Sequence, residues 1–170
     1  TLLGTTPSFT FSTPAPVPAA SSGRNYNLYV KAINNAGLEL VAAASTVKWD
    51  TSKPVATAVL PANNSYARTL PSVTGVASDP GATPSGVGGT QIQIKRVVAT
   101  DCWGGGAWGV NCTTESSWLT PLVGTPWTKN TQLPPPSNLP GGLEDGKAYE
   151  ISARAFDLAT NTQTATTANT

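Results

Sequence analysis

The feature that most limits what this chain can fold into is a phrase that occurs twice. Leu143 to Asn161 carries a turn signal at Glu144-Asp145-Gly146, then a tyrosine, then strict alternation. Tyr149, Ile151, Ala153 and Ala155 fall at every second position, so they share one face of a strand. Glu150, Ser152 and Arg154 take the other face, which reads as the wetter one. The earlier copy runs from Gly23 to Asn34, with Gly23 matching Gly146, Tyr26 matching Tyr149, Leu28 matching Ile151 and Ala32 matching Ala155. An ordered set of matches at one offset is the mark of an internal repeat, and period-two patterning makes the repeated unit a strand.

The correspondence extends upstream. Leu2-Leu3-Gly4-Thr5 aligns with Leu122-Val123-Gly124-Thr125, Phe9-Thr10 with Trp127-Thr128, and the proline run Pro14 to Pro18 with Pro134 to Pro136 and Pro140. Residues 1–53 therefore read as the C-terminal half of a β-sandwich repeat whose front half lies upstream. They hold a short strand at Phe9-Thr10-Phe11, a strand from Tyr26 to Ile33, a turn at Asn34 to Gly37, and an extended run from Leu38 to Trp49. Residues 54–170 read as a complete repeat. Strands are expected at Pro54 to Leu60, Leu70 to Ala77, Thr90 to Thr100, Tyr149 to Ala155, and from Gln163 onward. A flexible loop is expected from Asp79 to Gly89, and in the strand from Thr90 to Thr100 Ile92 and Ile94 should point inward and Gln91, Gln93 and Lys95 outward. Many short strands, Gly and Pro turns and no sustained helical period predict an all-β sandwich.

Composition narrows the function classes. Charged residues are 11% of the 170, the formal net charge is +1, and no basic stripe marks a nucleic-acid partner. No apolar run reaches the ~18 residues that would span a membrane. The chain has no His, so the commonest general base and transition-metal ligand is missing. Glu144 and Asp145 are adjacent in a turn and point apart, unlike a glycosidase pair facing across a cleft. We expect no catalytic residue, no cofactor-binding residue and no enzyme activity.

Cys102 and Cys112 flank the glycine-rich stretch Trp103 to Asn111. A disulfide closing this loop is the expected state, stabilising by about 2–3 kcal/mol through loop closure. Two free thiols or a metal site are the alternatives, the latter short of ligands. A disulfide implies an oxidising compartment, hence an extracellular or cell-surface location. No signal peptide opens the chain, whose start reads as an excerpt or a processed product. Asn63-Asn64-Ser65 and Asn111-Cys112-Thr113 fit the N-glycosylation pattern.

The stretch from Leu143 through Tyr149 to Asp157 resembles the corner and sixth strand of immunoglobulin-like and fibronectin type III domains. Asn25 to Gly37 is similar to the fibronectin type III version. Trp49-Asp50-Thr51-Ser52-Lys53-Pro54 is similar to the short linkers of tandem bacterial immunoglobulin-like repeats, and Gly75 to Asp79 with Ser85-Gly86-Val87 to one of their loops. The resemblance implies immunoglobulin-like β-sandwich repeats, one complete and one partial. It makes Tyr26 and Tyr149 tyrosine corners, whose hydroxyl bonds to backbone upstream. It also implies a calcium role for Asp50, Asp79 and Asp157, since aspartates at such joints hold calcium in some tandem repeats. The plainer reading is three turn-capping carboxylates, because no EF-hand loop is present. Segment 101–142 departs from ordinary repeats and reads as an insertion. Within it, Trp103 and Trp108 are candidate ligand contacts.

The expected function is a structural segment of an extracellular tandem-repeat protein: a stalk, filament or surface adhesin. Its partners would be neighbouring repeats or copies of the same protein, with strand complementation of the partial first domain as one mode of assembly. The alternatives are a glycan- or protein-binding module using the tryptophan-rich cysteine loop, and an accessory domain of a large secreted enzyme.

Overall fold

The computed structural model describes residues 23–119, 121–164 and 167–169. The strand expected at Phe9 to Phe11, and the matches at residues 2–18, lie outside these residues. Ten strands and one 3-10 turn (Glu115–Ser117) make the described part all-β.

Strands β1 (Arg24–Leu28), β2 (Lys31–Ile33), β3 (Glu39–Val41) and β4 (Ser45–Trp49) form an antiparallel ribbon. β1 pairs with β4 from Arg24↔Trp49 to Leu28↔Ser45, and β2 pairs with β3 from Lys31↔Val41 to Ile33↔Glu39. The turn between them works as its residues demand. Asn34 Oδ1 accepts from the Ala36 and Leu38 N–H groups, both at 2.9 Å, and Gly37 takes φ 78°, which glycine adopts without Cβ strain. The run from Leu38 to Trp49 is not one strand. It breaks at residues 42–44, where the Ala42 N–H reaches the Val30 carbonyl at 2.8 Å.

Two three-stranded sheets follow. One has the order β5 (Val55–Leu60), β6 (Val73–Ser78), β8 (Trp127–Lys129). The other has the order β10 (Thr167–Asn169), β9 (Tyr149–Asp157), β7 (Val87–Arg96). All pairings are antiparallel, and β7 against β9 is the longest, from Val87↔Asp157 to Arg96↔Tyr149. The alternating residues of both sheets meet in one core. Ala56, Ala58, Val73, Ala77 and Trp127 come from one side, and Ile92, Ile94, Ile151, Ala153 and Ala155 from the other. The alanines make room for Trp127, and so does Gly75, where a Cβ would lie 2.0 Å from the indole.

β7 begins at Val87, so Gly88 and Gly89 lie in the strand, with a bulge between Val87 and Gly89, rather than in the flexible loop expected there. The face carrying Gln93, Ser152 and Arg154 also differs from expectation, since Gln93 and Ser152 are buried. The inserted segment covers it. Gln93 Nε2 donates to the Cys112 carbonyl and to Ser117 Oγ, while Arg154 pairs with Glu115 and lies 4.2 Å over the Trp118 ring. Sequence alternation marks which residues share a face but not what a later loop will lay over it.

The same segment closes the outer edge of β7. Trp103 N–H donates to the Ile94 carbonyl, Leu119 N–H to the Ile92 carbonyl, and Thr90 and Leu122 exchange both bonds. An edge that would otherwise present a row of unpaired groups is thereby blocked. The seam between the sheets at β5 is closed by side chains. Gln163 Oε1 accepts from the Ala56 and Ala155 N–H groups at 2.7 and 3.1 Å, and Asn169 Nδ2 donates to the Ala58 and Pro61 carbonyls.

Candidate metal centre

Three strand ends deliver three carboxylates to one point. Asp50 follows β4, Asp79 follows β6, and Asp157 ends β9. The pairing Val55↔Ser78 lays the segment after Asp50 beside Asp79, and Val87↔Asp157 holds the end of β9 against the loop leaving Asp79. One carboxylate oxygen from each residue lies within 4.8 Å of the other two.

Each carboxylate is oriented by neighbouring donors. Asp50 Oδ1 accepts from the Ser52 N–H at 2.9 Å and Oδ2 from the Ser85 N–H at 2.7 Å. These bonds, Ser85 first and Ser52 second, outweigh desolvation and hold the Asp50 carboxyl below its ordinary pKa. Asp79 Oδ2 accepts from the Gly86 N–H at 2.7 Å and, at 3.5 Å, from the Ser85 hydroxyl. Asp157, 2% exposed, accepts from the Asn161 N–H and the Asn161 side-chain amide, both at 2.7 Å. The same amide donates to the Asp50 carbonyl, tying the linker to the end of β9.

The remaining oxygen, Asp79 Oδ1, is buried and has no donor. Neither Asp79 nor Asp157 forms an ion pair with a described lysine or arginine. A buried acceptor left without a donor costs about 1–3 kcal/mol, more when charged. An all-oxygen, three-carboxylate set with no Cys or His suits a hard divalent cation, calcium above all. The donor set and the orphaned oxygen both fit such an ion. Sequence reading marked the three aspartates but not Ser52, Ser85 and Asn161, which orient them. The spacing Asp157 to Asn161, a turn closed by its own side chains, was the available signal.

The other marked residues gather elsewhere. Cys102 and Cys112 form a disulfide. The Tyr149 hydroxyl accepts from the Glu144 N–H at 2.7 Å, and Trp108 lies against its ring with centroids 5.5 Å apart. Tyr26, at the matching place in β1, is half-buried. Trp103 is 3% exposed, and its indole N–H donates to the Gln132 carbonyl. Trp108 donates to the Gly141 carbonyl, meets Trp103 edge-on at 5.3 Å and lies under Arg96. With Trp103 in the core and both indole N–H groups committed, the pair anchors the insertion to the sheet. Arg96 is held in turn by Asp101 at 2.6 Å and Glu144 at 2.9 Å.

Compared with family models, curated proteins and solved structures, the chain has no match. Among the described residues no helix is long and apolar enough to cross a membrane.

Proposed function

We propose that the chain is a structural segment of an extracellular tandem immunoglobulin-like repeat protein, a stalk, filament or surface adhesin, whose joint is stiffened by calcium. The observation that carries this is the carboxylate cluster. It draws one ligand from the linker after β4 and two from the unit that follows, so an ion bound there joins the two. Asp50, Asp79 and Asp157 would hold it, and the ion would supply charge neutralisation and a fixed joint angle. The strand orders β5-β6-β8 and β10-β9-β7, with a tyrosine hydroxyl bonded back to the turn before its strand, support the immunoglobulin-like reading. The disulfide supports an oxidising, extracellular location.

Calorimetric titration of the whole chain with calcium tests the reading. One ion per chain is expected, with slower amide exchange at Ser52 and Ser85 on binding. Exchange at those amides that ignores calcium, with no heat of binding, would leave the cluster a hydrogen-bonded turn network and sink the proposal.

A further inference from the structure

Gly23 stands at the start of the ribbon and touches both elements that carry the carboxylate cluster. Its N–H donates to the Trp49 carbonyl at 2.8 Å, one residue before Asp50. On its other side lies the loop between Asp79 and Gly86. A Cβ at Gly23 would lie 3.2 Å from the Ala82 Cβ and 3.7 Å from the Thr83 N and Oγ1 atoms. In the same loop, a Cβ at Gly81 would lie 3.0 Å from Ser52 Oγ in the linker. The tip of the loop is thus fitted between ribbon and linker with little room for an added methyl group. Thr83 Oγ1 is buried there without a partner, so packing and not a bond from that hydroxyl seats the tip. Just beyond the tip, the Ser85 N–H donates to Asp50 Oδ2 and the Gly86 N–H to Asp79 Oδ2, both at 2.7 Å. Backbone conformation is not all that sets Gly23 apart. Gly37, at the opposite end of the ribbon, has nearly the same φ, 78° against 79°, but meets no described atom where its Cβ would be.

We infer that Gly23 is a positioning residue for the carboxylate cluster. With no side chain at 23, Ala82 and Thr83 seat against the ribbon, and that seating aims the Ser85 and Gly86 N–H groups at Asp50 and Asp79. The route is short, since Ala82 and Ser85 belong to one loop that begins at Asp79. A methyl group added at Gly23 makes Ala82 give way by a few tenths of an ångström. That is as much as the ~0.2 Å within which metal–ligand distances hold. The inference deepens the calcium reading and rests on it for the effect on affinity, whereas the aiming of Ser85 and Gly86 needs no ion. It makes the ligand geometry of the joint depend on the ribbon of the first unit, three strand ends away from Asp157. Because linkage is reciprocal, an ion in the cluster would in turn hold the ribbon end at Gly23 more firmly.

Amide exchange of the 170-residue chain in chelator, followed by calorimetric titration with calcium, tests it. Gly23→Ala is expected to speed exchange at Ser85 and Gly86 about tenfold and to weaken calcium binding about tenfold. Gly37→Ala brings a similar backbone strain without the contact and should change neither. Ala82→Gly, added to Gly23→Ala, removes the nearest atom that the new Cβ meets and should restore both. Exchange at Ser85 and Gly86 that ignores Gly23→Ala would overturn the inference. So would an equal response to Gly37→Ala, or no restoration by Ala82→Gly, since either would lay the effect to strain in the ribbon. Calcium binding that is undisturbed by Gly23→Ala would overturn it too, while leaving the calcium reading intact. A wild type that gives no heat with calcium, yet whose Ser85 and Gly86 exchange follows Gly23→Ala and its rescue, would end the calcium reading and leave this one standing.

Discussion

Replacing Asp79 with asparagine should have opposite effects on stability with and without calcium. The carboxylates of Asp79 and Asp157 approach within 4.8 Å. Two unit charges at that distance repel by about 3 kcal/mol at an effective dielectric near 20. Asn161 offsets part of this at Asp157, and Gly86 part at Asp79. Without an ion, Asp79→Asn should therefore stabilise the protein by about 1–3 kcal/mol. The asparagine still accepts from Gly86, so orientation is retained. With calcium at about 100 times its dissociation constant, the wild type gains about 2.7 kcal/mol, or about 10 °C in Tm for a unit of this size. The variant loses a charged ligand and gains far less. Calorimetric melts of both proteins, in chelator and in calcium, should give Tm values that change order. If Asp79→Asn is the less stable protein in chelator and calcium moves neither melt, the electrostatic reasoning is wrong.

Lys129 is 3% exposed and its ammonium has one partner, Gln132 Oε1 at 2.6 Å; desolvation pushes its pKa down. Below that depressed pKa both states are protonated and the native state carries the full burial cost, whereas rising pH removes the native proton first, so wild-type stability rises towards ~10.4. Lys129→Met should stabilise by about 1–2 kcal/mol at neutral pH and lose this advantage as pH rises through that window, read from denaturation midpoints. Gly75→Ala places a Cβ 2.1 Å from the Thr57 carbonyl as well as against Trp127, and should cost about 3 kcal/mol or more, seen as a lowered urea midpoint with loss of near-ultraviolet tryptophan ellipticity. Tyr149→Phe removes the acceptor of the exposed Glu144 N–H and should cost about 0.5–1.5 kcal/mol, with faster exchange at that amide.

Much of the β-structure was legible because period-two alternation is local. Tyr149 to Ala155 needed only its own residues to be read as a strand, and a glycine-closed turn sufficed for Asn34 to Gly37. The three aspartates were legible as strand-end residues, since β4, β6 and β9 end beside them. Their convergence was not, because it depends on which strands pair and how the 79–86 loop folds back. The insertion was harder still. Gln93 and Ser152 have the pattern of a wet face, and only the placement of Glu115, Ser117 and Trp118 buries them. Trp103 was marked as a candidate ligand contact because it lies in the cysteine loop, yet its N–H bonds to the Ile94 carbonyl and its ring is buried in the core.

The seam at β5 has one more implication. There, among the described residues, the two sheets are stitched by the side-chain amides of Gln163 and Asn169, which imitate peptide groups. A ladder loosens gradually and resists single substitutions. A stitch is present or absent. Exchanging Gln163 for a residue of similar size that cannot both accept and donate would free the Ala56 N–H and unlatch one margin of the module while its core residues stay the same. If the chain serves as the repeat module proposed above, Gln163 together with Asn169 would set how readily this margin opens under tension.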